Sequence, residues 1–194
     1  MTPRDYALLA QRAYSTPPAI GQEDGAARAI IEGSAVAFPG TNNVACWLAD
    51  LDAELEQIDG LGGLHAGFWR ALCSIREALL ALPTPAVTVG HSEGGALAIL
   101  FAAALCLAGR PPREVYAFEP PRVSADSTLA ALFEAHGVAV HIYRNGNDVV
   151  PLVPRVLHPW QHSATVYDIG APSLPVPNVE DHFIERVIAA LGGT

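Results

Sequence analysis

The β-branched run Val87-Thr88-Val89 leads directly into Gly90-His91-Ser92-Glu93-Gly94-Gly95, and the apolar stretch Ala96 to Leu107 follows without a break. A strand, a Gly-x-Ser-x-Gly turn and a helix in that order form a sharp bend that holds a serine hydroxyl out from the backbone. The bend is crowded where strand meets helix, so its flanking positions take glycine. The helix beginning at the serine aims unpaired backbone N–H groups at that hydroxyl, where they favour developing negative charge. This segment demands a strand-to-helix connection and points to Ser92 as a nucleophile.

The rest of the chain continues the alternation. Ala86 to Gly90 reads as a strand and Ser92 to Leu107 as a helix, Glu114 to Phe118 as a strand and Ser127 to Ala135 as a helix, and Val138 to Tyr143 as another strand. Alternation of this kind needs crossover connections and gives an α/β fold with a mostly parallel sheet flanked by helices. Upstream, Asp5 to Tyr14 reads as an opening helix stopped by Thr16-Pro17-Pro18. Ala27 to Glu32 and Ser34 to Phe38 read as strands joined at Gly33. Asn43 is placed to cap a helix running to about Gln57, with Val44, Trp47, Leu48, Leu51 and Leu55 at helical spacing. Gly60-Leu61-Gly62-Gly63 then reads as a loop, and Ala66 to Leu82 as a helix ended by Pro83. Near the C-terminus, Ser163 to Ile169 suits an edge strand, and Asn178 can cap a closing helix to about Leu191. A length of 194 residues without internal repeats fits a single compact domain over 1–194.

Composition narrows the function classes. The longest apolar run, Ala96 to Ala108, falls short of the roughly 18 residues that a membrane span needs and reads as a buried helix. A net charge of −9 disfavours nucleic acid and anionic lipid as partners reached through a basic patch. Transient contact with a lipid surface stays compatible with it. Cys46, Cys73 and Cys106 are odd in number and widely spaced in apolar helical segments, where they read as small buried hydrophobes rather than a disulfide framework. The opening Met1-Thr2-Pro3-Arg4-Asp5-Tyr6 has no charged-then-apolar leader, which favours a cytoplasmic location. There is no His-Glu-x-x-His, no Cys-x-x-Cys and no phosphate-cradling glycine loop, so neither a metal nor an organic cofactor is expected. No pattern speaks to oligomeric state.

A serine hydroxyl is a weak nucleophile until a base takes its proton, and that base is normally a histidine oriented by a carboxylate. In α/β-hydrolases the chain order is serine, acid, histidine, which directs the search downstream of Ser92. Asp148, in Arg144-Asn145-Gly146-Asn147-Asp148-Val149-Val150-Pro151, sits in a turn after a strand, where functional groups gather in a parallel sheet. Asp126 opens a helix and Asp168 closes an edge strand, which makes them weaker rivals. Among the later histidines, His136 ends a helix and His141 lies inside a strand; Pro159 separates His158 from His162 and spoils any metal pair on one helical face. His182 remains, in the expected first turn of the closing helix, whose N-terminus favours the neutral imidazole of a general base.

Several further blocks sharpen this reading. Val36-Ala37-Phe38-Pro39-Gly40-Thr41 followed by Trp47-Leu48-Ala49-Asp50-Leu51 resembles the oxyanion-loop block of the class 3, or fungal-type, lipases. His65-Ala66-Gly67-Phe68, the serine elbow, Glu119-Pro120-Pro121-Arg122-Val123, Asp148-Val149-Val150-Pro151 and Asp181-His182 are similar to that family's later blocks, in the same order across about residues 34 to 183. The resemblance implies Ser92 as nucleophile, His182 as base and Asp148 as its orienting acid. It also implies oxyanion donors from the backbone N–H and hydroxyl of Thr41 and from the backbone N–H of Glu93, with Asp50 holding the Thr41 hydroxyl in place.

Three departures stand out. Pro39 occupies a usual arginine position and stiffens the loop. Glu93 puts a carboxylate where an apolar residue is common; it can repel anionic substrates, tune the histidine or pair with a cation. The short chain leaves only Thr41 to Trp47 for a lid. The expected activity is a serine carboxylic ester hydrolase, a lipase or esterase working through an acyl-enzyme on short- to medium-chain acyl esters, small or lipid. The same residues also serve an acyltransferase or a thioesterase. A non-catalytic interaction module of the same fold is a third reading, against which the complete set of site residues argues.

Overall fold

The computed structural model describes residues 1–41, 53–174 and 178–192. Helix α1 (Pro3–Ser15) opens on a capping box, in which the Thr2 hydroxyl accepts from Asp5 N–H and the Asp5 carboxylate accepts from Thr2 N–H. Two short elements, β1 (Ile20–Gly21) and β2 (Arg28–Glu32), lead into β3 (Ala35–Phe38), which returns antiparallel to β2 across Gly33. A separate hairpin follows, β4 (Leu55–Ile58) and β5 (Gly62–His65), and then α2 (Ala66–Leu80).

The alternation read from the sequence builds the main sheet. β6 (Val87–His91), α3 (Glu93–Leu107), β7 (Glu114–Phe118), α4 (Thr128–Ala135) and β8 (Ala139–Asn145) come in turn, then β9 (Val166–Ile169) and α5 (Ile184–Gly192). The order across the sheet is β1-β2-β3-β6-β7-β8-β9, parallel from β3 to β9 and antiparallel at the β1 edge. Each face of the sheet closes over its own core. Phe38, Leu64, Leu72, Leu100 and Phe101 belong to the side of α2 and α3, and Tyr6, Leu9, Phe118 and Val187 to the side of α1 and α5. Every residue of α3 from Gly94 to Cys106 is buried, as expected of a helix that is apolar all round.

Four local expectations are corrected. The helix expected from Asn43 to about Gln57 lies mostly outside the described residues, as do Asp50, Cys46 and nearly all of the lid candidate, but its end is a strand. Leu55–Ile58 pairs antiparallel with Gly62–His65 across a turn in which Gly60 takes φ 75°, so Gly62 and Gly63 are strand residues rather than loop. The closing helix starts at Ile184, not Asn178, because Asn178 is held as a bridge partner of Asp148. Cys73 is exposed, whereas Cys106 is buried as expected.

Candidate active site

The elbow is tight for a physical reason that the glycines reveal. Ser92 has φ 59° and ψ −130°, a strained conformation for an L-residue that persists only when its surroundings impose it. A Cβ at Gly90 would run into the Gly94 backbone, and a Cβ at Gly94 into the carbonyl of Phe38. Ser92 N–H donates to Phe118 O at 2.8 Å, tying the bend to the neighbouring strand. Glu93 is the first residue of α3, so its N–H has no acceptor within the helix. Gly40 brings the β3 exit against the elbow: a Cβ there would lie 2.7 Å from His91 O and 2.8 Å from Ser92 Cβ.

Asp148 follows the end of β8 and is fully buried. Its Oδ1 accepts from Val150 N–H at 3.0 Å and its Oδ2 from His182 Nδ1 at 2.6 Å. Burial alone would raise the Asp148 pKa; its neighbours Glu119 and His182 more than offset that and hold it below the usual carboxylate value. His182 is equally buried, in the turn before α5 rather than in the helix itself. A hydrogen-bonded turn, not the helix N-terminus expected from the sequence, therefore holds the His182 ring. Its Nε2 and the Ser92 Oγ are both buried without a hydrogen-bond partner, and the His182 ring centroid lies 4.7 Å from that of His91.

The turn is pinned by Asp181. Its carboxylate accepts from Asn147 N–H at 2.9 Å, from Ser173 N–H and Oγ at 3.1 and 2.5 Å, from Asn178 Nδ2 at 3.1 Å and from Arg186 at 3.1 Å. Although burial opposes it, this ring of donors drives the Asp181 pKa far below the usual range.

His91 ties the two halves of the site together. Its Nε2 bonds the backbone carbonyl of His182 at 2.8 Å, and a carbonyl only accepts, so the proton is assigned to Nε2. Nδ1 then accepts from the Tyr14 hydroxyl at 2.7 Å. Burial lowers the His91 pKa to about 3 and pushes that of Tyr14 well up, keeping both neutral. Tyr14 arrives from α1, distant in sequence, and no local spacing announces it.

Glu119 enters the sequence reading only as the first residue of the Glu119-Pro120-Pro121-Arg122-Val123 block, with no role assigned to it. It follows β7 with φ 52°, is fully buried, and its Oε1 accepts from Asn145 N–H. Glu119, Asp148 and His182 each place one polar atom within 4.8 Å of the others, the only such grouping of three metal-ligating side chains among the described residues. A 2.6 Å Nδ1 to Oδ2 approach is that of a hydrogen bond, not of two ligands spread around an ion.

A hollow of about 260 Å³ opens beside His182, lined by Tyr14, Thr41, His91, Phe183 and Ile184 among others. Glu93 faces a different hollow, shared with Glu23, Asp24, Arg28 and Thr41. Burial raises its pKa, and among the described residues it forms no ion pair. The rivals to Asp148 have other work: Asp126 accepts from Gly63 and Thr128 N–H, and Asp168 is an exposed partner of Arg144.

A family model described as Lipase (class 3) matches residues 35–158. A "Secreted mono- and diacylglycerol lipase 1" of Fusarium solani is 28% identical over 84% of this chain and 52% of its own length. A "Secreted mono- and diacylglycerol lipase A" of Penicillium cyclopium is 29% identical over 75% of this chain and 51% of its own. The chain thus spans about half the length of the curated relatives it matches. A solved Rhizomucor miehei triacylglyceride lipase shares the fold with a TM-score of 0.69 at 19% identity, over 84% of this chain and 77% of that one. The secreted relatives overturn the cytoplasmic location expected from the opening residues. No described helix is long and apolar enough to cross a membrane.

Proposed function

The chain belongs to the class 3 lipase family, and from that premise we propose that it is a serine carboxylic ester hydrolase with Ser92, His182 and Asp148 as its catalytic triad. The observation that carries the reading is the buried 2.6 Å bond from His182 Nδ1 to Asp148 Oδ2 beside the strained serine elbow. With Nδ1–H donated to Asp148, the proton-free Nε2 is the acceptor that Ser92 Oγ needs.

Ser92 Oγ attacks the ester carbonyl as Nε2 takes its proton. The tetrahedral oxyanion is received by the backbone N–H of Glu93 and by the backbone N–H and hydroxyl of Thr41. In this reading Asp50 steadies that hydroxyl. Nε2 then passes the proton to the departing alcohol, leaving an acyl-enzyme that an activated water hydrolyses. All the chemistry comes from side chains and backbone of one α/β-hydrolase domain.

The names of the relatives support acylglycerols as the ester class and the extracellular space as the place of action. The hollow beside His182, about 260 Å³, falls just below the usual range of ligand sites, about 300–1,000 Å³, and supports short to medium acyl chains. Turnover of p-nitrophenyl butyrate by the wild type and by Ser92→Ala tests the assignment. Loss of turnover and of fluorophosphonate labelling in the variant is expected; equal rates overturn it. A profile across acyl lengths and a thioester control then fix the substrate class.

A further inference from the structure

Glu119 takes no part in the chemistry above, yet the backbone accepts a cost to keep it. Its φ of 52° is one that glycine adopts freely and an L side chain adopts only under constraint. The carboxyl at the end of that strained residue is fully buried. Oε1 accepts from Asn145 N–H, and Oε2 is buried with no donor against it. A Glu119 oxygen, an Asp148 oxygen and a His182 nitrogen lie within 4.8 Å of one another.

Two ionised carboxylates this close, in a site closed to water, repel and offer each other nothing but lone pairs. One proton on the pair turns that repulsion into a donated hydrogen bond. Asp148 already accepts from Val150 N–H and from His182, which stabilise its charge, whereas Glu119 accepts from one backbone N–H. The proton therefore belongs on Glu119.

We propose, building on the triad assigned above, that Glu119 is a positioning residue: it stays protonated in the folded protein, donates a hydrogen bond to Asp148, and so fixes the carboxylate that orients His182. Burial first, and then the neighbouring Asp148, push the Glu119 carboxyl well above its ordinary value. The charged and titratable groups facing it are Asp148 from the turn after β8, Arg144 from β8, which opposes the shift, and His182 from the turn before α5. Loss of the Glu119 proton at alkaline pH sets two like charges side by side and drives Asp148 off the imidazole, so this carboxyl places an alkaline limit on the rate.

Two substitutions and one spectrum test the proposal. Glu119→Gln keeps the donor and the volume but has nothing to ionise. Glu119→Gly removes the side chain at a φ that glycine prefers, so its backbone folds without strain. In the ¹³C spectrum of carboxyl-labelled protein at pH 7, one glutamate resonance in the protonated position is expected, absent from Glu119→Gln. Ionised signals alone overturn the proposal whatever the activity. In ester hydrolysis, Glu119→Gly is expected to lose roughly 10- to 100-fold in kcat with little change in KM, the scale of a small misplacement of a catalytic group. Glu119→Gln is expected to recover most of that loss and to lack the alkaline fall of the wild type. An alkaline limb shared by wild type and Glu119→Gln, or equal losses in the two variants, overturns the positioning role. Absence of wild-type turnover defeats the ester-hydrolase reading instead, and the spectrum still decides where the proton sits.

Discussion

His182 Nδ1 stands 2.6 Å from Asp148 Oδ2, with both side chains sealed from solvent. The bond sets which ring nitrogen is protonated, because a carboxylate can only accept. Asp148→Asn keeps the volume but presents an amide whose N–H₂ can bond the ring in its other tautomer. The expected result is a fall of about three to four orders of magnitude in kcat with KM little changed, measured on p-nitrophenyl butyrate. A loss below tenfold removes Asp148 from the triad.

Gly40 sets the distance between the β3 exit and Ser92, the proposed nucleophile. A Cβ at this position meets Tyr14 OH at 2.5 Å, His91 O at 2.7 Å and Ser92 Cβ at 2.8 Å. The tyrosine hydroxyl is held by His91 Nδ1 and the elbow backbone is fixed, so Gly40→Ala pushes Thr41 away from the oxyanion of the proposed mechanism. Loss of one oxyanion donor costs about 10²–10³ in kcat, and a fall of that order is expected with substrate binding retained. A variant as fast as the wild type argues against Thr41 as a donor.

Loss of stability in acid follows from two histidines held as neutral rings, His91 buried and His162 half-buried. Burial lowers His91 to about 3 and His162 to about 4. Between about pH 6.5 and those values the unfolded chain binds protons that the folded protein refuses, so each histidine contributes stability that is present above about pH 6.5 and lost as pH falls. The slope is about 1.4 kcal/mol per pH unit for each residue in the middle of that window. Urea unfolding at pH 7, 5.5 and 4.5 measures it, and His162→Gln is expected to flatten the decline. An unchanged slope in that variant shows that His162 does not contribute.

The parts of the site visible in the sequence are those set by neighbours along the chain. The elbow was legible because crowding at Gly90 and Gly94 is a local fact, created where β6 turns into α3. Asp148 was legible because a strand end places it, and His182 because the order of residues leaves few alternatives. Glu119 and Tyr14 were not legible, since their meaning is tertiary: one becomes significant only when β8 brings Asn145 and Asp148 beside it, the other only when α1 crosses His91. The misread end of the segment from Asn43 has the same origin. Leu55 fits a helical stripe, but pairing with His65 across the Gly60 turn decides its state. The sequence shows Asp181 only as a neighbour of His182, because its five donors come from residues 147, 173, 178 and 186.

Tyr14→Phe tests whether the site's two halves are coupled through His91. The tyrosine hydroxyl is the donor to Nδ1, while Nε2 of the same ring holds the backbone carbonyl of His182. Removing the hydroxyl leaves a buried ring nitrogen unsatisfied, which costs about 1–3 kcal/mol. That corresponds to roughly 2–4 °C in Tm for each kcal/mol in a chain of this size. The lost donor also frees His91 to change tautomer, and a ring protonated on Nδ1 no longer offers Nε2–H to the His182 carbonyl. The turn that carries His182 then loses one of its anchors, so a several-fold fall in kcat should accompany the drop in Tm. A lower Tm with kcat unchanged would show that Asp181 and Asp148 alone suffice to hold His182, and that His91 serves only the stability of the fold.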